Sequence, residues 1–151
     1  MAKFTAAQAA DVLAIKQVIY EWADELDVND GLKIKQSDVL AKDCRYFVGG
    51  EWKEGVDAVA SFYSERKTRL EGAGGAPVMR HQIMGIRVYF DAADKVRTGY
   101  QLLFFAHVGT PPIAGYCDPL ATADVRMEVK READGHWRIS MFDSGQVFQR
   151  G

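Results

Sequence analysis

Apolar residues repeat along this chain with two periods, helical in the first half and alternating in the second. Ile15, Ile19, Trp22 and Leu26 fall three or four residues apart and make one stripe of a helix. Thr5 is placed to cap it, with Gln8 three residues on in the capping-box position, and Asn29-Asp30-Gly31 breaks it, so the helix should run to about Val28. A second, shorter helix is predicted from Leu32 to Leu40. Cys44-Arg45-Tyr46-Phe47-Val48 then reads as a strand stopped by Gly49-Gly50, with Cys44, Tyr46 and Val48 on one face. Val56, Val59, Ala60, Phe62 and Tyr63 return to helical spacing and predict a third helix from Gly55 to about Leu70, ended by the glycine-rich loop 72–77.

After that loop the chain is β-rich. Met79 to Phe90 and Arg97 to Val108 are two long strands joined by Asp91-Ala92-Ala93-Asp94, a connection that suits a hairpin. Leu103, Phe105 and His107 share one face of the second strand. On the first, Met79, His81 and Ile83 share a face, after which the apolar parity switches to Ile86, Val88 and Phe90; a bulge near Gly85 reconciles the halves. The segment 109–119, with Pro111-Pro112 at its centre, suits neither helix nor strand and is the candidate for a mobile loop over a site. Ala123, Val125, Met127 and Val129 then alternate with Asp124, Arg126, Glu128 and Lys130, and Asp134-Gly135 turns the chain into a last strand, His136 to Phe148. Three helices and a run of mostly antiparallel strands define an α+β domain. Its simplest packing is a strongly curved sheet wrapping the helices into a cone, with a cavity between sheet and first helix where Asp27, His81 and the Tyr46 face converge.

Composition narrows the function classes. With 151 residues, 48% of them hydrophobic, the chain is expected to form one globular domain, 1–151, able to bury a core and a pocket. A net charge of −2 without blocks of like charge gives no footprint for nucleic acid or an anionic membrane surface. No apolar run approaches bilayer length, and Met1-Ala2-Lys3-Phe4-Thr5 leads into an Ala-rich polar helix without a signal core, so a soluble, cytoplasmic protein is expected. Cys44 and Cys117 lie far apart and read as buried free thiols, not as a zinc site or a disulfide framework.

The candidate chemistry begins at Asp27. It ends the first helix beside the apolar stripe, where a carboxylate is costly unless paired. Of three histidines, His81 and His107 lie in apolar strand-like runs, whereas His136 sits beside a turn and reads as surface. The expectation is that Asp27 orients one of the strand histidines in a pocket where the imidazole moves protons. No short ligand spacing supports a metal, so cofactor-free chemistry is expected.

Tyr20-Glu21-Trp22-Ala23-Asp24, followed by Asp27 and Asp30, resembles the first helix of the scytalone dehydratases, a group of SnoaL-like domains with the nuclear-transport-factor-2 cone fold. Leu40-Ala41-Lys42-Asp43-Cys44-Arg45 is similar to that family's helix-to-strand junction, His81 and the Gly99-Tyr100 to His107 spacing fall at its strand positions, and Asp134-Gly135-His136-Trp137 is similar to a hairpin common in the superfamily. The resemblance runs from about Tyr20 to about Trp137. It implies Asp27 as the orienting carboxylate, His81 as the general base and His107 as a second histidine assisting loss of water; the Asp–His pair also resembles the dyad of the hexachlorocyclohexane dehydrochlorinases. The wall of the pocket is expected from Trp22, Leu26, Tyr46, Val48, Phe105 and Val125. Departures accompany the matches: the family's carbonyl-activating tyrosine is Leu26 here, its strand serine and asparagine are Ala123 and Val125, and its second tyrosine aligns with Val48 or with Tyr46. The chain also ends soon after Phe148, where the family carries a covering segment, so the Pro111-Pro112 loop is expected to serve as lid. The resulting expectation is a cofactor-independent lyase of dehydratase type, or an isomerase, acting on a small hydrophobic cyclic or aromatic molecule. A non-catalytic binding module and an accessory subunit of a ring-hydroxylating oxygenase, which uses a similar fold, are the alternatives. A homo-oligomer is expected, by the resemblance a trimer, with a dimer next.

Overall fold

Thr5 and Gln8 close the capping box as the spacing requires: the Gln8 N–H donates to the Thr5 hydroxyl at 3.2 Å, and the Thr5 N–H donates to Gln8 Oε1 at 3.0 Å. The computed structural model describes residues 3–115 and 118–151, and in it this cap opens α1, Ala6–Asn29. Ile15, Ile19, Trp22 and Leu26 are all buried along one side of α1, so the stripe is its core face. The helix stops at Asp30 and Gly31, which adopt left-handed backbone with φ of 55° and 77°.

The helix expected from Leu32 to Leu40 does not form; among the described residues there are two helices, not three. Its place is taken by turns, because the segment is bounded by left-handed residues at Gly31 and Asp38 (φ 63°) and is drawn back onto α1. The buried Glu25 carboxylate accepts the Lys33 N–H at 2.6 Å and the Asn29 side-chain amide at 2.7 Å. Ile34 and Val39 are thereby buried without a helix to carry them.

β1, Leu40–Val48, turns through Gly49-Gly50 into β2, Glu51–Glu54, a short strand whose Glu-Trp-Lys-Glu sequence carries no apolar alternation to betray it. α2 follows as Val56–Gly72, then β3 (Val78–Ala92), β4 (Lys95–His107), β5 (Ala121–Arg131) and β6 (Trp137–Gln149). They form one curved six-stranded sheet in the order β2-β1-β6-β5-β4-β3, antiparallel except where β1 lies parallel to β6. The bulge in β3 falls where the parity change requires it: the register with β4 shifts between Met84 and Arg87, and Gly85 has a φ of 66°. Val96, Tyr100 and Leu102 of β4 and Ala123, Val125, Met127 and Val129 of β5 turn inward against α1. Cys44 is part of this core, and burial pushes its thiol up to about 11; Cys117 lies outside the described residues. No described helix is long and apolar enough to cross a membrane.

Arg138 on β6 ties the 31–39 turns to the final hairpin. Its nearly buried guanidinium donates to Asp38 at 2.6 Å, Glu132 at 2.8 Å and Asp134 at 2.7 Å. Hydrogen bonds from Arg138 hold the Asp38 and Asp134 carboxyls below the usual carboxylate range. A carboxyl depressed in the folded state contributes stability above its unfolded pKa and loses that contribution as pH falls through the folded value. The thermal stability of the native protein is therefore expected to fall as pH drops below ~4, and Arg138→Met to lower the melting temperature near neutral pH while flattening that acid decline. An unchanged acid limb in the variant would dissociate the decline from this cluster.

Candidate active site

Asp27 lies in the last turn of α1, and α1 packs its end against β3, an edge strand of the sheet. The two carboxylate oxygens are both spent on one residue. Oδ1 lies 2.6 Å from His81 Nδ1, and Oδ2 accepts the His81 backbone N–H at 2.9 Å. The pair is nearly buried, with side-chain exposures of 13% for Asp27 and 11% for His81, so solvent does not compete for the contact. A carboxylate only accepts, so it holds the imidazole hydrogen on Nδ1 and leaves the Nε2 lone pair free. The ring is fixed from both sides: Phe104, its cross-strand partner on β4, lies 4.7 Å away between ring centroids, and the Trp22 indole meets it edge-on at 5.8 Å.

His81 borders a cavity of about 580 Å³ between α1, α2 and the sheet, a size suited to a small organic ligand. Trp22, Leu26, Tyr46 and Val48 line it. Its walls also include Tyr63 from α2, Leu102 and Phe104 from β4, Ala121 and Ala123 from β5, and Phe142, Ser144 and Gln146 from β6. Phe142 stacks on Tyr46 with centroids 4.5 Å apart and meets Trp22 at 5.1 Å, which makes the floor aromatic. Trp22 Nε1 donates to the Tyr46 oxygen at 2.8 Å, and the Tyr46 and Tyr63 oxygens lie 2.8 Å apart. Burial raises both phenols, Tyr46 well above the ordinary tyrosine value and Tyr63 to about 12. Both therefore stay protonated near neutral pH.

Three expected residues lie elsewhere. β4 pairs with β3 without a shift from Gln101 to His107, so the alternation that turns Leu102 and Phe104 into the cavity turns Leu103, Phe105 and His107 to the opposite face. There His107 is exposed and its Nδ1–H donates to the Val108 carbonyl at 2.8 Å, while Phe105 lies beside it. Val125 faces inward but is packed in the core and forms no part of the cavity wall. The Pro111-Pro112 loop is no lid in this structure: none of its described residues lines the cavity, and Ile113 joins Phe105 and His107 on the outer face. Tyr63 was legible as a core position of α2, but nothing in its helical spacing marks it as a cavity residue. The β6 contribution had a signal, since Phe142, Ser144 and Gln146 share a parity that includes two polar residues at an inward face. Among the described residues no third His, Cys, Asp or Glu joins Asp27 and His81 in a cluster that would suit a metal.

A curved sheet closed over a long helix, with a pocket between them, is the cystatin-like, NTF2-like fold. Solved structures of that fold overlay it at low identity. A hexachlorocyclohexane dehydrochlorinase from Novosphingobium barchaimii is 16% identical, with a TM-score of 0.74 over 95% of this chain and 91% of that one. A candidate scytalone dehydratase from Novosphingobium aromaticivorans is 14% identical, with a TM-score of 0.74 over 97% and 91%. An NTF2-like protein with a cystatin-like fold from the same species is 17% identical, with a TM-score of 0.68 over 97% and 92%. No curated protein matches significantly in sequence. Residues 7–143 match the model of the SnoaL-like domain, and the chain belongs to that family.

Proposed function

We propose that this protein is a cofactor-independent lyase or isomerase that removes a proton from carbon in a small, hydrophobic, cyclic or aromatic substrate, with His81 as base and Asp27 as the residue that orients it. The observation that carries this reading is the double engagement of Asp27 with the ring and the backbone of His81, which leaves Nε2 as a fixed acceptor in an apolar cavity. Such a base requires no metal to be effective: positioned proton transfer is typically worth ~10²–10⁴-fold. The proton passes from carbon to Nε2. In an elimination the remaining electron pair forms the double bond and expels the leaving group on the neighbouring carbon; in an isomerisation the imidazolium returns the proton to a conjugated carbon. The names of the dehydrochlorinase and the candidate dehydratase among the structural neighbours agree with this chemistry. His107 has no part in it.

The test is exchange of solvent deuterium, followed by NMR, into cyclic β-hydroxy ketones and enones. The native protein is expected to exchange the acidic C–H positions, and His81→Ala to lose ~10²–10⁴-fold of the rate. Binding of these compounds by the native protein without exchange would favour a non-catalytic ligand-holding module, the reading to which the apolar side chains of Leu26 and Ala123 in the wall lend weight.

A further inference from the structure

Three donor hydrogens meet in the floor of the cavity, and among the described residues they share two hydrogen bonds. Trp22 supplies an indole N–H, and Tyr46 and Tyr63 supply one phenolic hydrogen each. The contacts among them are two: Trp22 Nε1 to the Tyr46 oxygen, and the Tyr46 oxygen to the Tyr63 oxygen, each 2.8 Å long. One phenolic hydrogen therefore has no acceptor among the described residues. Leaving a buried donor unmatched is unfavourable, and both phenols are nearly inaccessible, Tyr46 at 0% and Tyr63 at 5% exposure.

The order of the chain follows from the Trp22 contact. The Tyr46 oxygen already receives the indole hydrogen, so the arrangement in which each oxygen accepts once sends the Tyr46 hydrogen to Tyr63. The Tyr63 hydrogen is then the one left over, at the cavity wall. Each donated bond polarises the next hydroxyl, which makes the last hydrogen the strongest donor of the three. The raised phenols fit a donor and not a base. Trp22 links the two ends of the site, since its ring touches His81 and its N–H starts the chain.

We infer that Tyr63 is a substrate-binding donor, and that the ligand of this cavity carries an oxygen acceptor, a ketone carbonyl in the reaction proposed above, seated on the Tyr63 hydroxyl while its acidic carbon faces His81. The inference rests on that reading for the reaction and on the hydrogen count for the oxygen. As the proton leaves carbon, negative charge moves to the ketone oxygen, and a hydrogen bond already aimed there strengthens. A hydrocarbon or haloalkane without oxygen leaves the Tyr63 hydrogen unmatched and is rejected relative to a ketone of the same shape.

The experiment uses 1-tetralone and tetralin, a ketone and the hydrocarbon of the same skeleton. Infrared spectra of bound 1-tetralone are expected to show the carbonyl stretch displaced to lower frequency in the native protein and in His81→Ala, and returned to its unbound position in Tyr63→Phe. Tyr46→Phe, which breaks the chain one link earlier, is expected to weaken the displacement without removing it. The native protein is also expected to prefer the ketone by about tenfold, and Tyr63→Phe to lose that preference. A displacement that survives Tyr63→Phe, equal binding of ketone and hydrocarbon, or no binding of the ketone overturns the inference. If the carbonyl displacement depends on Tyr63 but the deuterium-exchange test finds no exchange, the donor stands and only the assignment of His81 as base falls.

Discussion

Asp27→Asn is expected to lower the proton-exchange rate by ~10²–10⁴-fold, close to the loss from removing the imidazole itself, while leaving the fold intact. An asparagine has the shape of the aspartate but not its two acceptors. If its amide oxygen stays on the His81 backbone N–H, its NH₂ group faces Nδ1 and donates to it. The imidazole hydrogen must then move to Nε2, the nitrogen that the base needs bare. If the amide flips, its oxygen keeps the hydrogen on Nδ1, but the NH₂ group is pressed against the His81 N–H, donor against donor. Either orientation forfeits one of the two contacts observed at 2.6 and 2.9 Å. The rate should be measured on protein whose thermal unfolding is within a few degrees of the native. A variant that folds normally and exchanges at the native rate would mean that the carboxylate serves only structure.

Gly31→Ala is expected to lower stability by about 2–5 kcal/mol. Two costs add. Gly31 has a φ of 77°, and left-handed backbone at a residue with a side chain costs about 1–2 kcal/mol. A Cβ at this position would also stand 2.5 Å from Cγ of Tyr63, well inside van der Waals contact, and overpacking of this kind costs about 1–3 kcal/mol. Gly50→Ala is the control. Its φ of 84° brings the same backbone cost, but its Cβ would meet nothing within 4 Å. Melting temperatures should separate the two variants by roughly 3–10 °C. Equal melting temperatures would mean that the Tyr63 ring gives way freely. Because that ring lines the cavity, Gly31→Ala should disturb ligand binding as well.

Much of this architecture is legible in the residues because local chemistry and burial agree there. The Thr5–Gln8 cap, the α1 stripe and the parity change at Gly85 each have one physical solution, and the chain adopts it. That Asp27 needs a partner was legible, since a carboxylate beside an apolar stripe is costly alone, but the residues left His81 and His107 as alternatives and the family resemblance is what pointed to His81. The helix expected over 32–40 failed because the residue that decides it is distant. Nothing near Lys33 announces that the Glu25 carboxylate will take its N–H. His107 was misplaced because alternation tells which side chains share a face but not which face is the inner one. Phe104 settles that, and its neighbour in sequence, Phe105, offers the same bulk to the other side. Tyr63 shows a further boundary. Its partner Tyr46 is 17 residues away on another element, so the hydroxyl pair exists only once the two surfaces close.

The contact between Asp27 Oδ2 and the His81 N–H also lies at the edge of the sheet. β3 is the last strand of the sheet, and its outward N–H groups are the kind that a passing extended chain would seize. Asp27 occupies one of them and sets a negative charge across the path. The carboxylate that holds the imidazole thus also closes one of the outward hydrogen-bonding positions of this edge strand. Shortening its side chain to alanine would expose that N–H as well as free the ring.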